Sequence, residues 1–379
     1  MNLPTEGSSP SPGGGSFQDP DSSKSPGGMQ KTITMATIAK AAGVSQGAIS
    51  SLLNDRDYGI RVSEKTRERV FKTCRELGYI PNDLRAVVRI YPEMGDTCLF
   101  LSNKLKGGMA NPFAARIAAG IINTVTSPKL NLAVSIYDET RDYSNENDKL
   151  PPPLSNGTAS KFIFIGSPSP TLQKICIRRN YPVFQLGCES TIPGVTSIIA
   201  DYESAARIAL NHLLEFGHKN IAIVGGPFGS PDPCHAELNR AIGLAAYELG
   251  IHIAPQNIFQ GDLSFEAGFA ALGDALSKTP IPTALFCLSM AAGCGALAAA
   301  ASKGIKVPSE LSIIALSENL DSPPVVPQLT TIALPTEELG IQAALEAERL
   351  IRGELPIEAR KIIQAVKLIQ RATSGTAPK

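Results

Sequence analysis

The sequence has no tryptophan, only four histidines and a formal net charge of zero. Each scarcity removes a class of function. His212, His218, His235 and His252 stand in no HxxxH or HExxH pattern, so metal catalysis has no constellation to start from. Seven cysteines (Cys74, Cys98, Cys176, Cys188, Cys234, Cys287, Cys294) form no CxxC and no zinc-ligand spacing. Most lie in apolar runs, where a thiol packs as a small hydrophobe, a usage that suits a reducing cytoplasm. No GxSxG, P-loop or nucleophile–base pairing is present, so neither an enzyme nor a cofactor is expected. The first thirty residues lack an apolar core behind a basic start, which argues against a secretory signal. Long apolar runs are also scarce. The one uncharged stretch, Thr283 to Ala301, begins β-like and continues in small residues and glycine, as a buried strand entering a buried helix would; no membrane partner is expected.

What is present is an asymmetry. A chain of 379 residues is long enough for two or three domains. Between Lys31 and Tyr91 it carries 11 Lys and Arg against 6 Asp and Glu, a basic segment on an otherwise neutral chain. Before it, residues 1–31 are rich in Ser, Gly and Pro and cannot bury enough surface to fold. They read either as a disordered tail or as sequence preceding a true start at Met29 or Met35. From Lys31 the pattern is helical: Met35, Ile38, Ala39 and Ala42 recur on one face, and Gly43 breaks the helix. Ser45 is placed to cap a second helix whose buried face is Ile49, Leu52 and Leu53. A third opens at Ser63, carries Val70, Phe71, Cys74 and Leu77 on one side, and stops at Gly78. Residues 32–80 therefore read as an all-α helix-turn-helix domain, with 81–96 as a linker.

After Asp96 the rhythm alternates between strand and helix. Strand-like runs are Cys98–Leu101, Leu132–Tyr137, Phe162–Ile165, Val183–Leu186, Ile198–Ala200, Ile221–Val224, Thr283–Leu288 and Leu311–Leu316. Helical segments such as Tyr202–Phe216 separate most of them. Continuous apolar strands between helices predict parallel, doubly wound sheets covered on both faces, in two α/β units over residues 97–379. Thr140–Ser160, polar and broken by Pro151-Pro-Pro153, reads as a long loop.

One stretch is more specific. Thr34-Met-Ala-Thr-Ile-Ala-Lys-Ala-Ala-Gly-Val-Ser-Gln-Gly-Ala-Ile-Ser-Ser-Leu-Leu-Asn54, continued by Val62-Ser-Glu-Lys-Thr-Arg67 and Gly78-Tyr-Ile-Pro-Asn82, resembles the headpiece of the LacI/GalR repressors. The resemblance implies that Ser45–Asn54 is the recognition helix, with Gln46, Gly47, Ala48, Ser50 and Ser51 approaching base edges in the major groove. Thr34 and Ser45, with helix N-terminal N–H groups, are placed to hold phosphates. Asn54, Tyr79 and Asn82 fall in the matched motifs and are expected at the DNA as well. The family often has Arg where Ser51 stands and a large side chain where Gly47 stands, so this helix is unusually bare. Arg56 and Arg61 in the following loop are candidates for the phosphate contacts instead. Pro81–Arg89 is similar to the family's hinge, a short helix that orders on DNA and wedges an apolar side chain into the minor groove. Val88 takes the wedge position usually held by Leu, and Arg85 stands where a small residue is usual. A plain linker is the competing reading.

The rest of the chain resembles the family's sensor domain, which has the two-lobed fold of periplasmic sugar-binding proteins. Asn111-Pro-Phe113, Asp201, Leu214 to Gly226, Arg240-Ala-Ile-Gly243, Pro282 to Cys287, Gly304 to Pro308, Leu329 to Ile332 and Arg371-Ala-Thr373 match in order. The resemblance puts effector contacts at Phe113, Arg240, Leu263, Ser289, Ser317 and Glu318. Arg at position 240 is retained, as a ligand contact or as an inter-lobe salt bridge. The usual Asn-Asp pair is Ser289-Met290, the usual Asp-Asp turn is Ala315-Leu-Ser-Glu318, and the stacking aromatic is Leu263. Sugar sites need acceptor carboxylates and a flat aromatic face, so an ordinary sugar effector is not expected. A more apolar ligand, an anion on Arg240, or an empty cleft remain.

The leading expectation is a cytoplasmic, homodimeric regulator that reads a pseudo-palindromic double-stranded DNA operator and responds to a small molecule. A solute-binding receptor of the same sensor fold and an effector-independent DNA-binding protein are the alternatives.

Overall fold

The computed structural model describes residues 33–54, 62–105, 107–124, 131–144, 150–179, 181–226, 233–318, 325–352, 354 and 359–379. The segment expected to be a tail, residues 1–31, lies outside them, as does Arg61.

Local capping sets the N-terminal helices α1 (Met35–Ala42), α2 (Gln46–Asn54) and α3 (Glu64–Leu77). The side chains of Thr34, Ser45 and Ser63 accept from the N–H groups of Thr37, Ala48 and Thr66, each three residues on. Gly43 and Gly78 close α1 and α3 at φ 65° and 68°, a left-handed turn that glycine adopts without strain. Ile38, Ala39, Ala42, Ile49, Leu52, Leu53, Val70 and Cys74 form the common core. The next helix, α4 (Leu84–Ile90), is capped by Asp83 and adds Ala86 and Ile90 to that same core. One face of the linker helix is therefore packed as part of the headpiece core.

The two lobes each hold a six-stranded sheet. The N-lobe contains β1 (Asp96–Ser102), α5 (Pro112–Thr124), β2 (Leu132–Tyr137), α6 (Pro152–Ser155), β3 (Ala159–Ile165), α7 (Pro170–Arg178), β4 (Val183–Leu186) and β5 (Val195–Ala200). The chain then crosses to the C-lobe: α8 (Tyr202–Glu215), β6 (Ile221–Val224), α9 (Pro233–Glu248), β7 (Ile258–Phe259), α10 (Phe265–Ala275), β8 (Ala284–Cys287), α11 (Met290–Ser302), β9 (Ser312–Ser317) and β10 (Thr330–Ala333). It returns to the N-lobe for α12 (Thr336–Ile351) and β11 (Arg360–Gln364), and crosses a third time to finish at β12 (Lys367–Ile369). The orders are β11-β5-β4-β3-β1-β2 and β12-β10-β9-β8-β6-β7. Every pairing is parallel except β10 with β12. Parallel strands need helices on both faces, which is why Phe100, Phe162, Phe164, Phe184 and Phe286 are fully buried.

Paired glycines bring two helix pairs into backbone contact. A Cβ on Gly120 would sit 2.1 Å from the Glu337 carbonyl oxygen, and one on Gly340 would sit 2.2 Å from that of Ile117, so α5 and α12 touch along their backbones. Gly268 and Gly295 do the same for α10 and α11. The uncharged run Thr283–Ala301 becomes β8 and α11, and among the described residues no helix is long and apolar enough to cross a membrane. The expected loop Thr140–Ser160 contains the single turn α6 and the start of β3. Cys74, Cys98, Cys176 and Cys287 are free and buried, as expected of most of the cysteines; Cys294 is free and half-buried, and Cys188 is disulfide-bonded.

Candidate DNA-binding and effector sites

The recognition helix α2 shows two faces. Gln46 and Gly47 are exposed, and Ser50 and Ser51 are half-exposed beside them. Ala48 is a correction: it is only 7% exposed, because Ala48, Ile49, Leu52 and Leu53 share the inward stripe of the helix. It packs inward instead of facing outward. Thr34 and Ser45 are exposed at the starts of α1 and α2, their side-chain oxygens engaged as caps, while Tyr79 is half-buried with its carbonyl accepting from Tyr91 Oη at 3.3 Å. Asn54 ends α2. Asn82 and Arg85 are exposed, with the aliphatic part of Arg85 lying across Gly157 of the N-lobe.

Val88, expected as the wedge, is held inside the molecule. Rather than standing free as a wedge it is 1% exposed, pressed on the N-lobe beside Gly95 and Ser160. The helical period explains the split: Ala86 and Ile90 are one turn apart and face the headpiece, and Val88 points to the other side. Between them, Arg89 donates from Nη1 to the carbonyls of Leu52 at 3.3 Å and Leu53 at 2.8 Å. It satisfies C-terminal acceptors of the recognition helix and places a cation at the negative end of its dipole. Sequence reasoning missed this residue. A basic side chain one position beyond the wedge was the available signal.

The second candidate site is a cleft of about 600 Å³ between the lobes. Phe113, Leu263, Ser289 and Glu318 line it as expected, joined by residues not foreseen: Leu105, Leu186, Tyr202, His235, Leu238, Leu288, Leu316 and Leu334. Two expected members are elsewhere. Arg240 points away, exposed and paired with Glu203 at 2.8 Å, since its position on α9 faces α8 instead of the cleft that His235 and Leu238 line. Ser317 is buried, its hydroxyl turned to the Met290 sulfur at 3.5 Å.

The polar groups of the cleft are largely committed. Ser289 Oγ donates to the Leu263 carbonyl at 2.7 Å and accepts from Ala292 N at 3.1 Å, capping α11. Tyr202 Oη donates to the Gly187 carbonyl at 3.0 Å, and burial pushes its phenol up. Glu139 accepts from Ser102 Oγ and pairs with Lys104 at 2.8 Å. Burial raises the carboxyl of Glu318 above the usual carboxylate range. On the outer side, Lys361 of β11 reaches Glu189 at 2.6 Å and Glu237 of α9 at 3.4 Å, an ion-pair link between the lobes.

Comparison with known proteins gives the same two parts. Residues 34–82 match the family described as bacterial regulatory proteins, lacI family, and residues 210–374 match the periplasmic binding protein-like domain. The HTH-type transcriptional repressor CytR of Escherichia coli is 31% identical over 355 residues, covering 91% of this chain and 97% of its own. The lactose operon repressor of the same species is 26% identical over 349 residues, 91% of each chain. Among solved structures, the Lac repressor bound to ONPG superposes with a TM-score of 0.62 at 25% identity, covering 91% of this chain and all (100%) of that one. The Lac repressor dimer bound to operator and the anti-inducer ONPF gives 0.61 at 24% identity, with the same coverage.

Proposed function

The chain belongs to the LacI family of bacterial regulatory proteins, and from that premise we propose that it is a cytoplasmic transcriptional repressor, with no enzymatic activity, that acts as a homodimer on a pseudo-palindromic operator. The observation that carries this reading is the recognition helix. Its outward face is Gln46, Gly47, Ser50 and Ser51, and its inward face is locked by Ile49, Leu52 and Leu53. A helix held rigidly with small polar groups outward can seat deeply in a major groove. Thr34, Ser45, Asn54, Tyr79, Asn82 and Arg85 are assigned to flanking contacts, mainly to phosphate and sugar.

The second copy is supported by apolar surface in both lobes. Val134 and Ile136 are exposed on the edge strand β2, and Phe265 and Phe269 stack at 6.5 Å on the outside of α10. An isologous contact would cover these faces and align two headpieces with two half-sites.

The hinge supplies the switch. In the described state Val88 is buried against the N-lobe, so inserting it into a minor groove requires the hinge to leave that seat. Operator contacts favour the undocked arrangement, N-lobe packing favours the docked one, and a small molecule closing the cleft shifts the balance between them.

Selection of bound sites from random duplexes at near-physiological salt tests the reading. The expected result is a palindrome with half-sites related by two-fold symmetry. Sequence-blind retention that vanishes with added salt, with no enriched motif, would overturn it.

A further inference from the structure

The inter-lobe cleft is lined for a different chemistry from a carbohydrate. Leu263, Leu288, Leu316 and Leu334 of the C-lobe, with Phe113 and Leu186 of the N-lobe, give it apolar walls. A sugar presents a ring of hydroxyls, each needing a partner once buried. Here the hydroxyls of Ser289 and Tyr202 are spent on backbone groups, and Glu139 is spent on Ser102 and Lys104. Arg240, the donor fork that would grip hydroxyls or an anion, is outside the cleft on Glu203.

One polar group in the cleft differs. Glu318 lies in the lining, and among the described residues no cation pairs with its carboxyl. A lone acid among leucines is costly when ionised and calls for a positive partner. We propose that the cleft binds an apolar organic ammonium ion, a hydrocarbon or aromatic body carrying one protonated amine that pairs with Glu318. The proposal rests on the cleft being the effector site of the regulator described above. Burial raises the Glu318 carboxyl, which fits a group waiting for a counter-ion. The other titratable groups of the cleft are Tyr202, His235, Cys294 and the Lys104–Glu139 pair, with Glu237 close by on Lys361.

Three isosteres that differ only in head group supply the test: 4-phenylbutylamine, 4-phenylbutan-1-ol and 4-phenylbutyrate, with ribose and glucose alongside. Binding to the full-length protein is measured by calorimetry and thermal shift, without DNA. The amine is expected to bind at least tenfold more tightly than the alcohol, with the carboxylate and both sugars silent. Glu318→Gln should erase the difference between amine and alcohol while both still bind. In the unmodified protein the amine's advantage should shrink as pH falls from 7.5 to 5 and Glu318 protonates, and His235→Gln should keep that trend. Equal affinity of amine and alcohol, an advantage surviving Glu318→Gln, or stabilisation by ribose or glucose in place of the amine would overturn the proposal. Operator binding is measured separately, so a silent cleft beside a recovered palindrome would sink the ligand class and leave the regulator standing.

Discussion

The headpiece and the inter-lobe cleft spend their polar side chains in opposite ways. In the headpiece the short polar residues at the starts of α1 and α2 cap backbone groups and stay exposed, so one face is ordered and open at once. In the cleft the polar residues are engaged inward, on the carbonyls of Leu263 and Gly187 and on each other, leaving apolar walls and one acid. One surface is preorganised for a polyanion, the other for a mostly hydrocarbon body. The difference follows from how each surface is built: the capping network is local in sequence, and the cleft is assembled from both lobes.

The hardest test of that separation is Ile49→Asp, which puts a charge at a position 0% exposed in the headpiece core. It should cost more than about 4 kcal/mol of headpiece stability. Calorimetry should show the headpiece transition lost and the sensor transition unmoved, with operator binding gone. A single transition shifted as a whole would mean that the two regions unfold together.

Val88→Leu probes the seam between the regions. An extra methylene at the packed contact with Gly95 and Ser160 should weaken hinge docking by about 1–3 kcal/mol. Freed from its seat and longer as a wedge, the variant should bind operator roughly tenfold more tightly, about 1.4 kcal/mol. Unchanged or weaker binding in a gel-shift titration would place the docked state outside the switch.

A pH titration separates the regions by composition, since every histidine lies beyond residue 200. His218 is buried, its ring meeting Thr283 Oγ1 at 3.0 Å and Ser312 Oγ at 2.9 Å, and buried His212 meets Ser374 Oγ at 2.8 Å. Burial lowers both below the ordinary imidazole value of about 6.5. Below that pH the unfolded chain takes up protons before the folded one does, so stability falls as pH drops from about 6.5 toward the folded values. The sensor melting temperature should decline between pH 7 and 5 more steeply than that of the headpiece. Parallel decline in both would assign the effect to carboxylates.

The smallest effect is expected from Arg240→Ala. An exposed pair with Glu203 contributes within about 1 kcal/mol, and neither operator affinity nor small-molecule binding should change. Loss of the response to any cleft ligand would return Arg240 to the site.

Much of this was legible in the sequence because it is local. Caps three residues from their acceptors, glycines closing helices and unbroken apolar strands predicted the headpiece and most of both sheets. The last strands were not legible. β11 alternates in burial and includes Arg360 and Lys361, and β12 is three residues long, so neither carries the apolar run that marks a parallel-sheet core. Arg240 and Ala48 were misread for another reason. Each was assigned from position within a motif, but which way a helical side chain points is decided by what packs on the helix, here α8 and the headpiece core.

The threefold crossing between lobes also orders events on the ribosome. The N-lobe sheet is incomplete until β11 at Arg360–Gln364 has been made, whereas the headpiece core closes with α4 at Ile90. At ordinary elongation rates that interval is on the order of tens of seconds. During it the nascent chain holds a finished recognition helix, with Arg89 already able to cap it, and no completed lobe on which Val88 can rest. The growing chain thus carries a finished headpiece long before the lobe that seats its hinge is complete.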